Sequence, residues 1–361
     1  MNSLCDVVVL TWNQRNIIKD FVESYLANTS VASRLIIIDN GSNDGTREYL
    51  LSLTDTDRCS FEIIFNEENK GFVGGMNQGI SISDAPYVCL VNNDLIFTEG
   101  WLSEIISVFE TDKRIGLVNP NSNNLGTLLP GSDTLAGFSS RLRKAYSGKF
   151  EEMPFCIGFC MVIKRGLVNI AGGLSKEFAP MFFEDTDYSM KALKSGYLIG
   201  MAKGSYVWHK EHSSFKQMGK NQEEFFEKSR RVFVRKWGRI LRIVLMIENN
   251  SGLQNNLDHA VALARAGNYV SVFCRDKRFK ERSDIFKEAC INEHRGVNFV
   301  GFRNTLVAFW QIVKKKKKYD LIIVKNSSIS RLLRRMGYEV MSEFDKEAIR
   351  GIKFNGSGNQ G

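Results

Sequence analysis

The chain has little of what marks several large protein classes. Only 5 of its 361 residues are proline. Apart from one lysine run there is no biased tract, which argues against extended disorder. No stretch reaches the roughly 18 apolar residues that a membrane-spanning helix needs. "MNSLCDVVVLTWN" puts an acid ahead of a short apolar run and lacks the basic start and cleavage site of a signal peptide. The seven cysteines are odd in number and scattered. Cys156 and Cys160 form C-x-x-x-C without a second pair, so zinc is not expected. Most thiols sit in apolar runs, as buried, reduced thiols of a cytoplasmic protein would. No repeat of solenoid period occurs. "GFVGGMNQG" is glycine-rich, but its spacing is wrong for G-x-G-x-x-G, which argues against a nicotinamide site. No aromatic stacking platform accompanies the basic residues, so no nucleic-acid partner is expected.

What is present divides in two. The net charge of +9 hides an asymmetry: residues 1–209 hold 18 Lys+Arg and 24 Asp+Glu, while residues 210–361 hold the other 31 and 16. The first part is therefore acidic by 6 and the second basic by 15. Such a split is a domain signal. The runs "DVVVLTW", "RLIIIDNGS", "FEIIFNE" and "YVCLVNND" alternate with helical spacings, the pattern of an α/β domain with a mostly parallel sheet. Residues 120–150 break the alternation and read as a loop, long enough to serve as a lid. A second alternation, "IVLMIEN", "YVSVFCRD", "VNFVGF" and "YDLIIVKN", predicts a smaller Rossmann-like α/β unit. The expected plan is a first domain over 1–215, a basic amphipathic helical linker over 216–240, an accessory domain over 241–350 and a disordered tail over 351–361. In the linker, Phe225, Phe226, Phe233 and Trp237 alternate with Lys228, Arg230, Arg231, Arg235 and Lys236. With the run Lys314 to Lys318, this suggests docking on an anionic membrane surface.

Ligands of open parallel sheets bind beyond the C-terminal ends of the strands. Those ends carry Thr11, Trp12 and Asn13; Asp39, Asn40 and Ser42; Asn69, Lys70 and Gly71; and Asn92, Asn93 and Asp94. Asp39 can accept from a base N–H or from ribose hydroxyls, and Asp94 can bind a hard cation that carries a diphosphate. "FFEDTDY" crowds Glu184, Asp185 and Asp187 into four positions between aromatic residues. Acids suit the first turn of a helix because they face the positive end of its dipole. That alone would explain the charge, but not its joint occurrence with the strand-end set.

Taken in order, "VVVLTWN", "IIIDNGSNDGT", "NKGFVGGMNQG", "LVNND", "FFEDTDYSMKALKSGY" and "YVWHKEHSS" resemble the family 2 glycosyltransferases of GT-A fold, in their bacterial rhamnosyltransferase-like branch. The resemblance covers about residues 4–215. It implies a GT-A nucleotide-diphospho-sugar transferase domain and an inverting enzyme that uses Mg²⁺ or Mn²⁺. The donor would be a nucleotide-diphosphate sugar. The acceptor would be a saccharide or lipid-linked hydroxyl in bacterial surface polysaccharide synthesis. Donor binding would fall to Thr11, Trp12, Asn13, Asp39, Asn69, Gly71, Asn77, Asn92 and Asn93. Asp94 would be a metal ligand, with His209 as a second. Asp185 falls where the family keeps its catalytic base, and Glu184 would hold a sugar. Crowding carboxylates between aromatics should raise the pKa of at least one of them, which makes a better base for a sugar alcohol. Asn92 stands where the family often has a carboxylate. A catalytically weak nucleotide-sugar-binding scaffold is therefore the alternative, with a sugar nucleotidyltransferase behind it. A homo-oligomer stays open.

Overall fold

The computed structural model describes residues 3–210, 221–247, 253–274, 285–286, 291–302, 304–314 and 319–355. The chain divides into two compact units, Met1–Phe150 with Phe155–Phe233, and Glu151–Pro154 with Val234–Gly361.

In the first unit, β1 (Cys5–Thr11) lies between β2 (Ser33–Asp39) and β4 (Tyr87–Val91), both parallel to it, and β3 (Cys59–Phe65) extends the sheet beyond β2. Val7 to Val9 and Leu35 to Ile38 are buried on both faces of the sheet, which is why these strands read as unbroken apolar runs. One face packs on α1 (Arg15–Asn28), the short α2 (Thr46–Leu51) and α4 (Trp101–Thr111). The other packs on α3 (Gly71–Ile82), α6 (Arg165–Ala171) and α7 (Glu184–Lys194). Further strands are β5 (Leu95–Phe97), β6 (Ile115–Ser122), the short β7 (Phe150–Glu152), β8 (Cys160–Lys164) and β9 (Leu198–His209). The main path runs β3-β2-β1-β4-β8-β6-β9-β5. Successive strands move outward from β1 to β3, then return to β4 on its other side. The crevice between the ends of β1 and β4 is thus the switch point where such sheets bind ligands.

The glycines of α3 are a packing device. A Cβ on Gly75 would lie 2.3 Å from Leu10, and one on Gly79 2.2 Å from Val8, so only glycine lets the helix lie this close to β1.

Residues 120–150 are not the loop that the sequence suggested. β6 continues to Ser122, a 3₁₀ turn follows at Asn123–Leu125, and α5 spans Leu135–Tyr146. Thr134 caps α5 by accepting from the Gly137 N–H, and Phe138 meets Tyr206 of β9 edge-on. Its apolar positions are too sparse to announce a helix. The rest of the stretch, 126–134, is irregular.

In the helix α8 (Asn221–Trp237), one of the phenylalanines expected on a lipid face, Phe233, turns into the protein, while Phe226 stays 41% exposed. Through Phe233 it counts with the first unit. Phe233 is buried, with its ring 5.3 Å from that of Phe183, and Phe226 lies 5.3 Å from Phe183 and 5.7 Å from Phe182.

The second unit holds a parallel five-stranded sheet in the order β12-β11-β10-β13-β14. The strands are β10 (Arg242–Ile247), β11 (Tyr269–Cys274), β12 (Val297–Gly301), β13 (Leu321–Ile323) and β14 (Val340–Met341). α9 (Leu253–Arg265) covers one face. The other is covered by α10 (Thr305–Val313) and α11 (Ser327–Arg335). α12 (Lys346–Asn355) runs five residues into the stretch expected to be a disordered tail, and the remainder of that tail lies outside the described residues. So do Lys315 to Lys318 of the lysine run. No helix among the described residues is long and apolar enough to cross a membrane.

Candidate active site

The ends of β1 and β2 are joined by a network of short polar side chains. Parallel register sets Thr11 opposite Asp39. Asp39 is buried and accepts from the Ser42 N–H and hydroxyl, and Ser42 Oγ accepts from the Asn13 N–H at 2.8 Å. Asn13 adopts a left-handed backbone, φ 51°, and its side chain accepts from the Asn43 N–H. Asn40 donates to Asn69, which also accepts from the Gly71 N–H at 2.8 Å. Trp12 stands 43% exposed beside this network. Asn77 goes elsewhere: its amide holds both the N–H and the carbonyl of Leu174 and so pins the loop before α7.

The end of β4 carries the next group. Asn93 donates to Gln14 at 2.7 Å and, more weakly, to Thr11. The antiparallel ladder of β5 on β9 pairs Leu95 with His209, and this brings His209 Nε2 to 3.0 Å from Asp94 Oδ1. The two residues are 115 apart in sequence. Both are largely buried, and His209 Nδ1 has no hydrogen-bond partner. The backbone N–H and carbonyl of His209 are both held by the side chain of Asn123. A carboxylate oxygen and an imidazole nitrogen at this separation fit a single Mg²⁺ or Mn²⁺ ion. Among the described residues no group of three or more potential ligands occurs. Such an ion would take the rest of its shell from phosphate oxygens and water.

The three carboxylates of "FFEDTDY" separate into different environments. Asp187 is buried, accepting from Ser175 at 2.6 Å with Lys191 at 3.8 Å, and serves the core. Asp185 Oδ2 accepts from the Gly158 N–H at 2.8 Å, and its Oδ1 accepts from the Thr186 N–H at 2.6 Å. Burial pushes its pKa up, while the Gly158 and Thr186 bonds pull it back. Glu184 is buried, and its Oε2 has no hydrogen-bond partner. Desolvation, with the neighbouring Asp185 charge, pushes its pKa up to about 8. Phe182 and Phe183, just before the pair, sit at φ 73° and 65°. Left-handed backbone in bulky residues costs about 1–3 kcal/mol each and concentrates at functional sites.

One short segment connects the Asp94–His209 pair with the Glu184–Asp185 pair. The Gly158 N–H binds Asp185, while the Phe159 ring stacks on His209 with centroids 5.8 Å apart and the Phe159 carbonyl accepts from the Asn92 N–H. Asn119 fixes this segment, accepting from the Ile157 N–H and donating to the Ile157 and Cys160 carbonyls. The sequence alone does not single out Asn119, Asn123 or Gly158. The density of asparagine in "NPNSNN" was the available signal.

Comparison with known proteins adds what the chain is similar to. Residues 6–170 match the profile of "Glycosyl transferase family 2". That match lies almost wholly within the first unit and covers a little under half of the chain. An uncharacterized protein, y4gI, of Sinorhizobium fredii is 26% identical over 235 residues, 58% of this chain and 25% of that protein. The poly-beta-1,6-N-acetyl-D-glucosamine synthase of Staphylococcus aureus is 28% identical over 126 residues, 34% of this chain and 30% of the synthase. The matches thus span about a quarter to a third of these relatives. Similar solved structures include a mannosyltransferase of Pyrobaculum calidifontis with GDP-Man and Mn²⁺ (TM-score 0.48, 15% identity, 64% of this chain and 65% of that one). Another is TarS residues 1–349 of S. aureus with UDP-GlcNAc (TM-score 0.48, 14% identity, 64% and 65%).

Proposed function

We propose that the chain transfers a sugar, with inversion, from a nucleotide-diphosphate donor to a hydroxyl of a saccharide or lipid-linked acceptor. The match of residues 6–170 to the family 2 model supports the reaction class. The name of the S. aureus relative supports a polysaccharide context. The observation that carries the reading is the Gly158–Phe159 segment, which ties Asp185 to the Asp94–His209 pair.

Asp185 takes the proton from the acceptor hydroxyl as that oxygen bonds to the sugar carbon. The bond from that carbon to the diphosphate breaks, and the nucleoside diphosphate leaves with the electron pair. Burial makes Asp185 a stronger base than an exposed aspartate, and its two backbone bonds fix the carboxylate plane. Glu184 keeps its proton at neutral pH and can donate it in a hydrogen bond to a sugar hydroxyl. Asp39 and the amides around it bind the nucleoside. A divalent ion held by Asp94 and His209 would offset charge developing on the leaving phosphate.

Thermal shift with UDP, GDP and dTDP, each with Mn²⁺ and with chelator, tests the reading. One nucleotide should stabilise the protein in metal and not in chelator, and its sugar conjugate should be slowly hydrolysed. No response to any of the three under either condition would overturn the proposal.

A further inference from the structure

The second unit carries a surface that the transfer reaction does not use. α10 and α11 cover the same face of the five-stranded sheet through Ala308, Phe309, Ile312 and Leu333. α10 has no charged residue. Its inner side is spent on the sheet, yet its outer side is also apolar: Leu306 is 70% exposed, Trp310 64% and Val307 38%. A helix that is apolar all round is expected in a core or a membrane, not at a water-facing surface. The charges within α11 and at Lys314 all have one sign, with Glu339 the exposed acid three residues beyond Met336. Lys314 follows α10 and is exposed. α11 presents Arg331, Arg334 and Arg335 among exposed Leu332 and Met336, and neither helix contains an acid.

We propose that the outward face of α10 and α11 docks this chain on an anionic lipid surface. The basic residues would meet the headgroups, each contributing attraction that decays within a Debye length. Leu306 and Val307 would enter the acyl boundary, and Trp310 would sit at headgroup level, where indole is favoured. The aliphatic side chains decide between lipid and a soluble polyanion, because they gain nothing from phosphate and gain from leaving water. The surface is separate from the α8 phenylalanines, and it stands independently of the reaction assigned above.

Co-sedimentation of the full chain with phosphatidylcholine vesicles, with and without phosphatidylglycerol, tests this. Binding should require phosphatidylglycerol and fall with salt. The pair Leu306→Ser/Trp310→Ser should weaken it by about tenfold or more, and so should Arg331→Gln/Arg335→Gln. Both pairs change exposed side chains, so melting curves should stay close to wild type, and the arginine pair is read independently if the first variant misfolds. The proposal fails if the wild type ignores anionic vesicles or binds neutral ones equally. It also fails if both pairs sediment like the wild type. A wild-type dimer that Leu306→Ser/Trp310→Ser converts to monomer, without lipid binding, would make the face a contact between two copies instead.

Discussion

Three neighbouring carboxylates acquire three different jobs because each meets a different set of donors. Asp187 is satisfied by Ser175 and is lost to catalysis. Asp185 is held by Gly158 and Thr186, and Glu184 Oε2 is held by nothing. Asp185→Asn should lower transfer by about 10²- to 10⁴-fold, the usual scale for a general base, while nucleotide affinity stays near wild type. Steady-state rates and nucleotide titration together check this, and a variant keeping most of its activity would remove the assignment. Gly158→Ala acts one step away. Its Cβ would lie 3.3 Å from Asp185 Oδ2 and 3.4 Å from its Cβ, so the carboxylate must shift. Transfer should fall with donor binding spared, and Gly158→Ala at wild-type rate would mean that the segment does not position the base. Glu184 gives a pH signature. Its folded-state pKa of about 8 lies above the ordinary 4.5, so between those values the folded state holds a proton that the unfolded chain releases. Its contribution to stability is present below about pH 4.5 and is lost as pH rises through about 8. Glu184→Gln cannot ionise, so its melting temperature relative to wild type should climb from about pH 5 to about pH 9. A difference that stays flat over that range would contradict the buried, proton-holding glutamate.

Elements explain why part of the site could be read from sequence and part could not. Strand ends were legible: β-branched runs closing on turn residues located Thr11, Asp39 and the Asn92–Asp94 group, and the sheet order puts β1 and β4 side by side. Partnerships made by tertiary pairing were not legible from the spacing of residues. Asp94 meets His209 only because β5 pairs antiparallel with β9. α5 escaped notice because its surface is mostly polar, and the inward turn of Phe233 on α8 did because an amphipathic face looks alike whether it meets lipid or protein. Asn77 drew attention through a glycine-rich motif whose glycines fit a helix against β1, and its own amide secures Leu174. Two consequences follow at this scale. Asp94→Ala should weaken nucleotide binding in Mn²⁺ and change it little in chelator, since the residue would act through the ion. Calorimetric titration decides this, and equal losses in both conditions would point to a direct contact with the nucleotide. Phe226→Ala removes the exposed ring that α8 sets against Phe182 and Phe183, the left-handed pair preceding the acids. Its effect should be on acceptor KM and kcat rather than on donor affinity.

The whole molecule combines two units, each with its own core and its own charge. The first unit's core is built on two faces of a nine-stranded sheet, and the second unit's on two faces of a five-stranded one. The acidic first part would suit the proposed site, where an ion and hydrogen bonds rather than excess positive charge would hold an anionic donor. The basic excess lies in residues 210–361, where the exposed apolar face of α10 also lies. This division predicts how ligands act on stability. A ligand that binds only the native state raises stability by RT ln(1 + [L]/Kd), about 2.7 kcal/mol at a hundredfold excess over Kd. Every candidate donor contact is in the first unit, so nucleotide with Mn²⁺ should raise one calorimetric transition and leave a second in place. Anionic vesicles should act on the other transition. Because each unit buries its own clusters of apolar side chains, separate transitions are expected even without ligand. If nucleotide and metal raise both transitions equally, the units unfold as one and the division of labour argued from charge and packing is wrong. If they raise only the transition that vesicles also move, the donor site has been placed in the wrong half of the chain.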